Sequence, residues 1–210
     1  MIDENESRKK KNVAIILRGV SGVGKSTLAN ILVKKIPFSA RIDVDELRYF
    51  VKGGIVGSRS SIKPFDDPQE YFRQCRLADK NAFALARNFL QAGFIPIIDG
   101  LNGGESSETY YFMKNSYEIH WYPSSDLLKD GMPGTKVIQI VLDTPPKELS
   151  IRLKLKGHDD KTVDFILSQR EIFLKAVSIS SLNKTIDTSQ NSPKNIAEQA
   201  INAFNLHKYL

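Results

Sequence analysis

The chain has 210 residues, 41% of them hydrophobic and 26% charged, with 30 Lys plus Arg against 24 Asp plus Glu and a formal net charge of +6. That balance predicts one globular domain with a sizeable core. The single cysteine, Cys75, excludes an internal disulfide and points to a reducing, cytoplasmic setting; no apolar run approaches bilayer-spanning length. The charged stretch Met1–Lys11 lacks a signal-peptide core and is expected to be a disordered tail before a domain over 12–210. The positive charge suits an anionic ligand, nucleic acid included, but only Arg8–Lys11 forms a tight basic run.

Val13–Leu17 is an unbroken apolar run, the pattern of a buried parallel strand. Gly19-Val20-Ser21-Gly22-Val23-Gly24-Lys25-Ser26-Thr27 follows and fits G-x-x-x-x-G-K-[ST]. Leu28, Ile31, Leu32 and Lys35 then continue at helical spacing until Pro37. Strand, glycine loop and helix in that order make a phosphate cradle: glycines let the backbone close on a polyphosphate at a positive helix N-terminus. Lys25 would reach the β- and γ-phosphates, and the Ser26 hydroxyl would ligate Mg²⁺. This predicts binding of a nucleoside triphosphate.

A second strand is expected over Ser39–Asp43, leading into Asp43-Val44-Asp45-Glu46-Leu47-Arg48. Lys52–Asp66, rich in Gly and Ser, reads as a mobile loop or lid. Pro68–Gln91 reads as a helix, with Asp67 as N-cap and Glu70 as the capping-box acid. Its apolar face includes Cys75, which reads as a small core residue. A third strand over Phe94–Ile98 delivers Asp99. Residues 102–135 are irregular and rich in aromatics, among them Tyr110, Tyr111, Phe112, Tyr117, Trp121 and Tyr122; they either pack onto the body or stack a planar acceptor. Strands at Val137–Leu142 and Lys184–Ile186 flank helices from Pro145-Pro146 to Lys156 and over Lys161–Val177. A last helix starts at Ser192-Pro193. Alternating elements of this kind predict a three-layer α/β/α fold around a parallel five-stranded sheet with right-handed crossovers.

Ligands in such sheets gather beyond the carboxyl ends of the strands, where this chain collects its acids. Asp45 is the expected catalytic base, orienting an acceptor hydroxyl and taking its proton, unless it serves as a helix N-cap. Asp43, two residues earlier, is expected on the same face as Asp45, and either of the two could be the base. Arg48, a helical turn beyond Asp45, would hold a polar or anionic part of the acceptor. Asp99 would organise Mg²⁺ through a water or else cap the strand end as an Asx turn, and Asn102 follows it within reach of substrate. Arg152, Lys154, Lys156 and His158, with Arg170 downstream, could form a cationic lid over the transferred phosphoryl, or a solvated basic face. Asn183-Lys184-Thr185-Ile186-Asp187 has one residue too many for the guanine-reading N-K-x-D, which argues against a GTPase.

The stretches GVSGVGKST, IDVDELR, IPIIDG, LDTPPKELSIRLKLKG and IDTSQNSPKNIAEQAI together resemble the small phosphate-loop kinases. These include gluconate kinase, adenylylsulfate kinase, chloramphenicol phosphotransferase, zeta toxins and the kinase domain of polynucleotide kinase. The resemblance covers most of Val13 to Phe204. It implies a nucleoside-monophosphate-kinase-like sheet, ATP with Mg²⁺ as donor and a small-molecule hydroxyl as acceptor. It also implies Asp45 as base, Arg48 as an acceptor contact, Arg152 as a lid residue near the nucleotide, and Thr188 and Ser189 near the adenine. Lys154 and Lys156 stand where such kinases often carry further arginines. A 5′-hydroxyl polynucleotide kinase and a nucleotide-binding regulatory ATPase are the competing readings.

Overall fold

In a computed structural model of the chain, residues 12–57, 60–64, 66–100, 112–113, 116–117, 134–178 and 184–210 are described; for 112–113, 116–117, 175–178 and 184 this is the backbone only. The expected tail, Asn102 and most of the aromatic segment lie outside these residues.

Five strands form one parallel sheet: β1 (Val13–Arg18), β2 (Ser39–Asp43), β3 (Ile95–Asp99), β6 (Lys136–Asp143) and β7 (Lys184–Asp187), in the order β2-β3-β1-β6-β7. The intervening β4 (Phe112–Met113) and β5 (Ser116–Tyr117) pair only with each other, antiparallel. β1 and β3 are buried along their whole length, which is why they read as continuous apolar runs rather than alternating ones.

The helices are α1 (Lys25–Lys35), α2 (Val44–Arg48), α3 (Pro68–Gln91), α4 (Pro146–Leu155), α5 (Asp160–Ser178) and α6 (Pro193–Ala203), with a 3₁₀ turn over Leu206–Tyr209. Two cores result, one on each face of the sheet. Ile15, Leu17, Ile97 and Ile140 pack with Leu28 and Leu32 of α1 and Ala197, Ala200 and Ile201 of α6. Ala14, Ile16, Ile42 and Ile98 pack with Ala78, Ala82, Phe83 and Ala86 of α3. Neighbouring residues of β1 and β3 thus divide between the two cores, as the period of two requires. No helix among the described residues is long and apolar enough to cross a membrane.

Strand ends differ from expectation by a residue or two. Asp99 is the last residue of β3, not the first beyond it, and pairs in register with Asp43 of β2. Asp67 caps α3 as expected, accepting from the Glu70 amide at 3.1 Å. The Glu70 carboxylate does not complete the capping box. It accepts from Arg73 Nε and Nη2 at 2.6 and 2.8 Å and from Gln74 Nε2 at 2.7 Å.

Candidate active site

A cleft of about 410 Å³ opens at the carboxyl end of the sheet, walled by the glycine loop, the ends of β2 and β3, the loop before α3 and the α4–α5 connection. The loop adopts backbone that its glycines alone permit. At Gly19 (φ +137°) a Cβ would collide with the Leu142 carbonyl oxygen, and at Gly22 (φ +91°) it would meet Leu149 Cδ1 at 2.8 Å. Gly24, in the left-handed region, precedes α1, whose N-terminus has no side-chain cap and no acid in its first turn. Its amides are left for an anion.

Lys25 Nζ donates to the Val20 carbonyl at 3.0 Å, within the loop. Burial pushes its pKa down, opposed by the charges of Asp99 and Asp45. Val23 is buried in the loop, Thr27 lies in the first turn of α1, and Ser26 is exposed to the cleft. Thr188 braces the loop from the far side of the sheet. It is buried, donates its hydroxyl to the Val23 carbonyl at 2.9 Å, and its amide bonds Asp143 O at 2.8 Å. Ser189 follows it, its amide bonding Asp187 Oδ1 at 2.8 Å.

The acids separate into different roles. Asp45 does not share a strand face with Asp43, because the chain turns into α2 between them. Asp43, not Asp45, is the N-cap: its Oδ1 accepts from the amides of Asp45 and Glu46 at 3.1 and 3.4 Å. Its Oδ2 accepts from Arg41 Nη2 at 2.6 Å, and the same nitrogen reaches Asp99 Oδ2 at 2.7 Å. Arg41 Nη1 also bonds Asn30 Oδ1 on α1 at 3.1 Å. Burial, reinforced by Asp99, raises the Asp43 pKa, with Arg41 pulling it back. Asp45 is left with a 62% exposed side chain on the cleft.

Arg48 is buried rather than open, at 4% exposure. Its Nη1 donates to the Val56 carbonyl at 3.2 Å, its Nη2 lies 3.7 Å from Asp45 Oδ1, and its guanidinium stacks 4.9 Å from the Tyr71 ring. Gly57 holds a φ of +129°, a conformation strained for any other residue, and a Cβ there would meet Arg48 Nη1 at 2.7 Å. The loop expected to be mobile is strapped at this point. Gln74 of α3, itself buried, accepts from the Val56 amide at 3.1 Å and donates to Gly54 O at 2.8 Å. Lys63 and Pro64 line the cleft. Burial drives the Cys75 thiol up to about 12, an inert core cysteine as expected.

Of the expected lid cations, Lys156 and His158 line the cleft. Arg170 does not belong to the lid. It forms a two-pronged ion pair with Asp143 at 2.8 and 2.7 Å and bonds Thr144 O at 3.0 Å, locking α5 to the end of β6. Lys154 pairs with Asp160 at 2.8 Å. Arg152 is held by Glu148 at 2.8 Å and by the Thr188 hydroxyl and carbonyl at 3.0 and 2.7 Å, behind the glycine loop rather than in the cleft.

These residues fit a nucleoside polyphosphate with its divalent cation. The helix end is uncapped, an ammonium and a hydroxyl stand at the loop, and Asp99 closes the neighbouring strand. Among the described residues no cluster of three or more His, Cys, Asp or Glu could hold a metal unaided. Sequence reasoning missed Arg41, Lys63, Tyr71 and Gln74. A signal existed only for Arg41, which by strand alternation shares a face with Asp43.

A family model described as an AAA domain matches residues 15–174. No curated protein matches the sequence. Among solved structures, the tunicamycin resistance protein of Deinococcus radiodurans is 21% identical with a TM-score of 0.56, covering 91% of this chain and 94% of that one. A gluconokinase from Sinorhizobium meliloti is 16% identical with a TM-score of 0.54, covering 93% of each. A shikimate kinase from Bacteroides thetaiotaomicron is 16% identical with a TM-score of 0.55, covering 92% and 99%. The chain has the fold of the phosphate-loop small-molecule kinases.

Proposed function

This chain belongs to the AAA domain family, and from that premise we propose that it is a kinase that transfers the γ-phosphoryl group of Mg-ATP to a hydroxyl of a small-molecule acceptor. Two solved structures of the same fold are named as kinases of small molecules. The observation that carries the reading is the disposition of one carboxylate. Both oxygens of Asp43 are engaged, whereas Asp45 lies open on the cleft and its charge acts on the Lys25 ammonium of the phosphate cradle.

Bound Mg-ATP would supply the transferable phosphoryl group and a metal charge to offset its oxygens. Gly19 to Thr27 hold the phosphates through backbone amides, with Lys25 on the β- and γ-phosphates. Ser26 and Asp99 would hold the cation. Asp45 orients the acceptor hydroxyl and takes its proton as the new O–P bond forms and the bond to the β-phosphate oxygen breaks. Arg48 and Asn102 contact the acceptor. Lys156 faces the developing charge. Ser189 borders the nucleoside, with Arg152 and Thr188 behind it holding the glycine loop.

The test is an acceptor screen. Protein, Mg-ATP, a metabolite extract and oligonucleotides bearing 5′-hydroxyls are incubated together, and new phosphorylated species are sought by mass spectrometry. We expect a small-molecule product with the wild type. Asp45→Asn should lose about 10²–10⁴-fold in transfer while binding ATP as before, and Lys25→Ala should lose nucleotide affinity. An oligonucleotide product would replace the small-molecule acceptor by a polynucleotide. ADP formed equally by both proteins, without product, would leave a regulatory ATPase in place of the kinase.

A further inference from the structure

Asp43 and Asp99 end adjacent parallel strands in register, and their carboxylates meet at one nitrogen. Two carboxylates so close, one of them with a side chain only 2% exposed, repel unless a cation lies between them. Arg41 Nη2 stands 2.6 and 2.7 Å from the two oxygens, a charge-assisted hydrogen bond to each that places a positive charge between them. The guanidinium is held there firmly. Asn30 of α1 takes Nη1, while Nε is buried without a partner, so the side chain is placed for the acids at the expense of its own third bond. The same Asp43 caps the helix that bears Asp45.

We propose that Arg41 is a positioning residue that occupies the divalent-cation position between Asp43 and Asp99. It keeps metal off the acid pair until nucleotide brings its own, and it holds Asp43 on the cap of the helix carrying the base. The catalytic part of this rests on the kinase reading; the metal-exclusion part does not. A free divalent cation at this point would draw Asp43 toward itself and away from the α2 amides. With Arg41 in place, Asp99 keeps its second oxygen for the water shell of a cation arriving at Ser26.

The test uses Mn²⁺ as the probe, titrated into the full-length chain without nucleotide and followed by the electron paramagnetic resonance of the free ion. Wild type should bind no Mn²⁺ at the acid pair. Arg41→Met, or Arg41→Gln if the methionine variant does not fold, should bind it at least about tenfold more tightly, and Asp43→Asn in the same background should abolish the gain. Arg41→Lys retains a cation between the acids and should behave like wild type. In transfer assays, Arg41→Met should lower kcat on the order of tenfold with the KM for ATP little changed, and Arg41→Lys should recover part of that loss. Two results overturn the proposal. One is an uncharged variant that binds Mn²⁺ no better than wild type. The other is tight nucleotide-free binding by the wild type itself that Asp99→Asn removes. Neither result depends on finding an acceptor, so failure here is separable from failure of the kinase reading.

Discussion

Asp43 and Asp45 are the same residue type two positions apart, and their surroundings give them different work. Asp43 ends a strand, where its carboxylate caps the next helix and binds a guanidinium; Asp45 sits inside the first turn of that helix and points its charge at the cleft. Proximity in sequence therefore says little about function once a strand-to-helix turn intervenes. His158 is a second case. A lone histidine carries little weight in a sequence, yet this one is half-buried on the rim of the cleft. Desolvation and then the neighbouring Lys156 charge hold its pKa below the ordinary 6.5. The ring therefore gives up its proton at a lower pH than an exposed histidine. Its linked contribution to stability is complete above pH 6.5 and is lost as pH falls through the lowered folded value. An NMR titration of the His158 ring should give a midpoint below 6.5, and Lys156→Gln should move it upward. Bound ATP should move it upward as well, because phosphates favour the imidazolium. A midpoint that Lys156→Gln leaves unmoved would remove Lys156 from the account of the lid.

At the scale of elements, the loop before α3 shows how side chains from neighbouring helices hold Gly54 and Val56. Its Gly and Ser content reads as mobility, and at Gly54 and Val56 its backbone is bonded by a side chain from the next helix. Gln74 holds Gly54 and Val56, Glu70 holds Gln74, and Arg73 holds Glu70, whose pKa falls to about 2, chiefly through Arg73 and then Gln74. Arg48 closes the same strap from α2 through the Val56 carbonyl. Gln74→Ala would leave the buried Val56 amide without its acceptor, at a cost of about 1–3 kcal/mol. Hydrogen exchange should then speed up in residues 51–57 while α1 stays protected. The KM for the acceptor should rise with ATP affinity unchanged. Loss of protection spread evenly over the whole chain would mean that Gln74 supports the core rather than the loop.

Across the whole molecule, one sheet sets out the glycine loop, the paired acids and the brace behind them. β1 delivers the glycine loop, β2 and β3 deliver the paired acids, and β6 and β7 deliver the Asp143–Thr188 contact that braces the loop from behind. Ile15 lies fully buried at the middle of the central strand, between β3 and β6. Ile15→Ala should destabilise the fold by about 2–5 kcal/mol. This would be read as a lower urea midpoint with an unchanged slope, and ATP should still bind where the protein remains folded. A fall in ATP affinity without a fall in midpoint would show that Ile15 acts on the loop directly.

The strands, most helices and the phosphate cradle were legible in the sequence because each rests on a local pattern: an apolar run, a 3.6-residue period, or a glycine motif between strand and helix. The acids at the strand ends were legible for the same reason, as residues following apolar runs. Which partner each charge takes was decided only by the tertiary structure. Arg41 meets Asp99 across 58 positions, Arg170 meets Asp143 across 27 and Arg152 meets Thr188 across 36. Such pairs depend on strand register and on the docking of α4 and α5, which bring residues together without leaving any periodic mark in the chain. A basic residue near a cleft therefore reads the same in sequence whether it faces a phosphate or locks a helix to a strand, and burial with its hydrogen-bond partners tells the two apart.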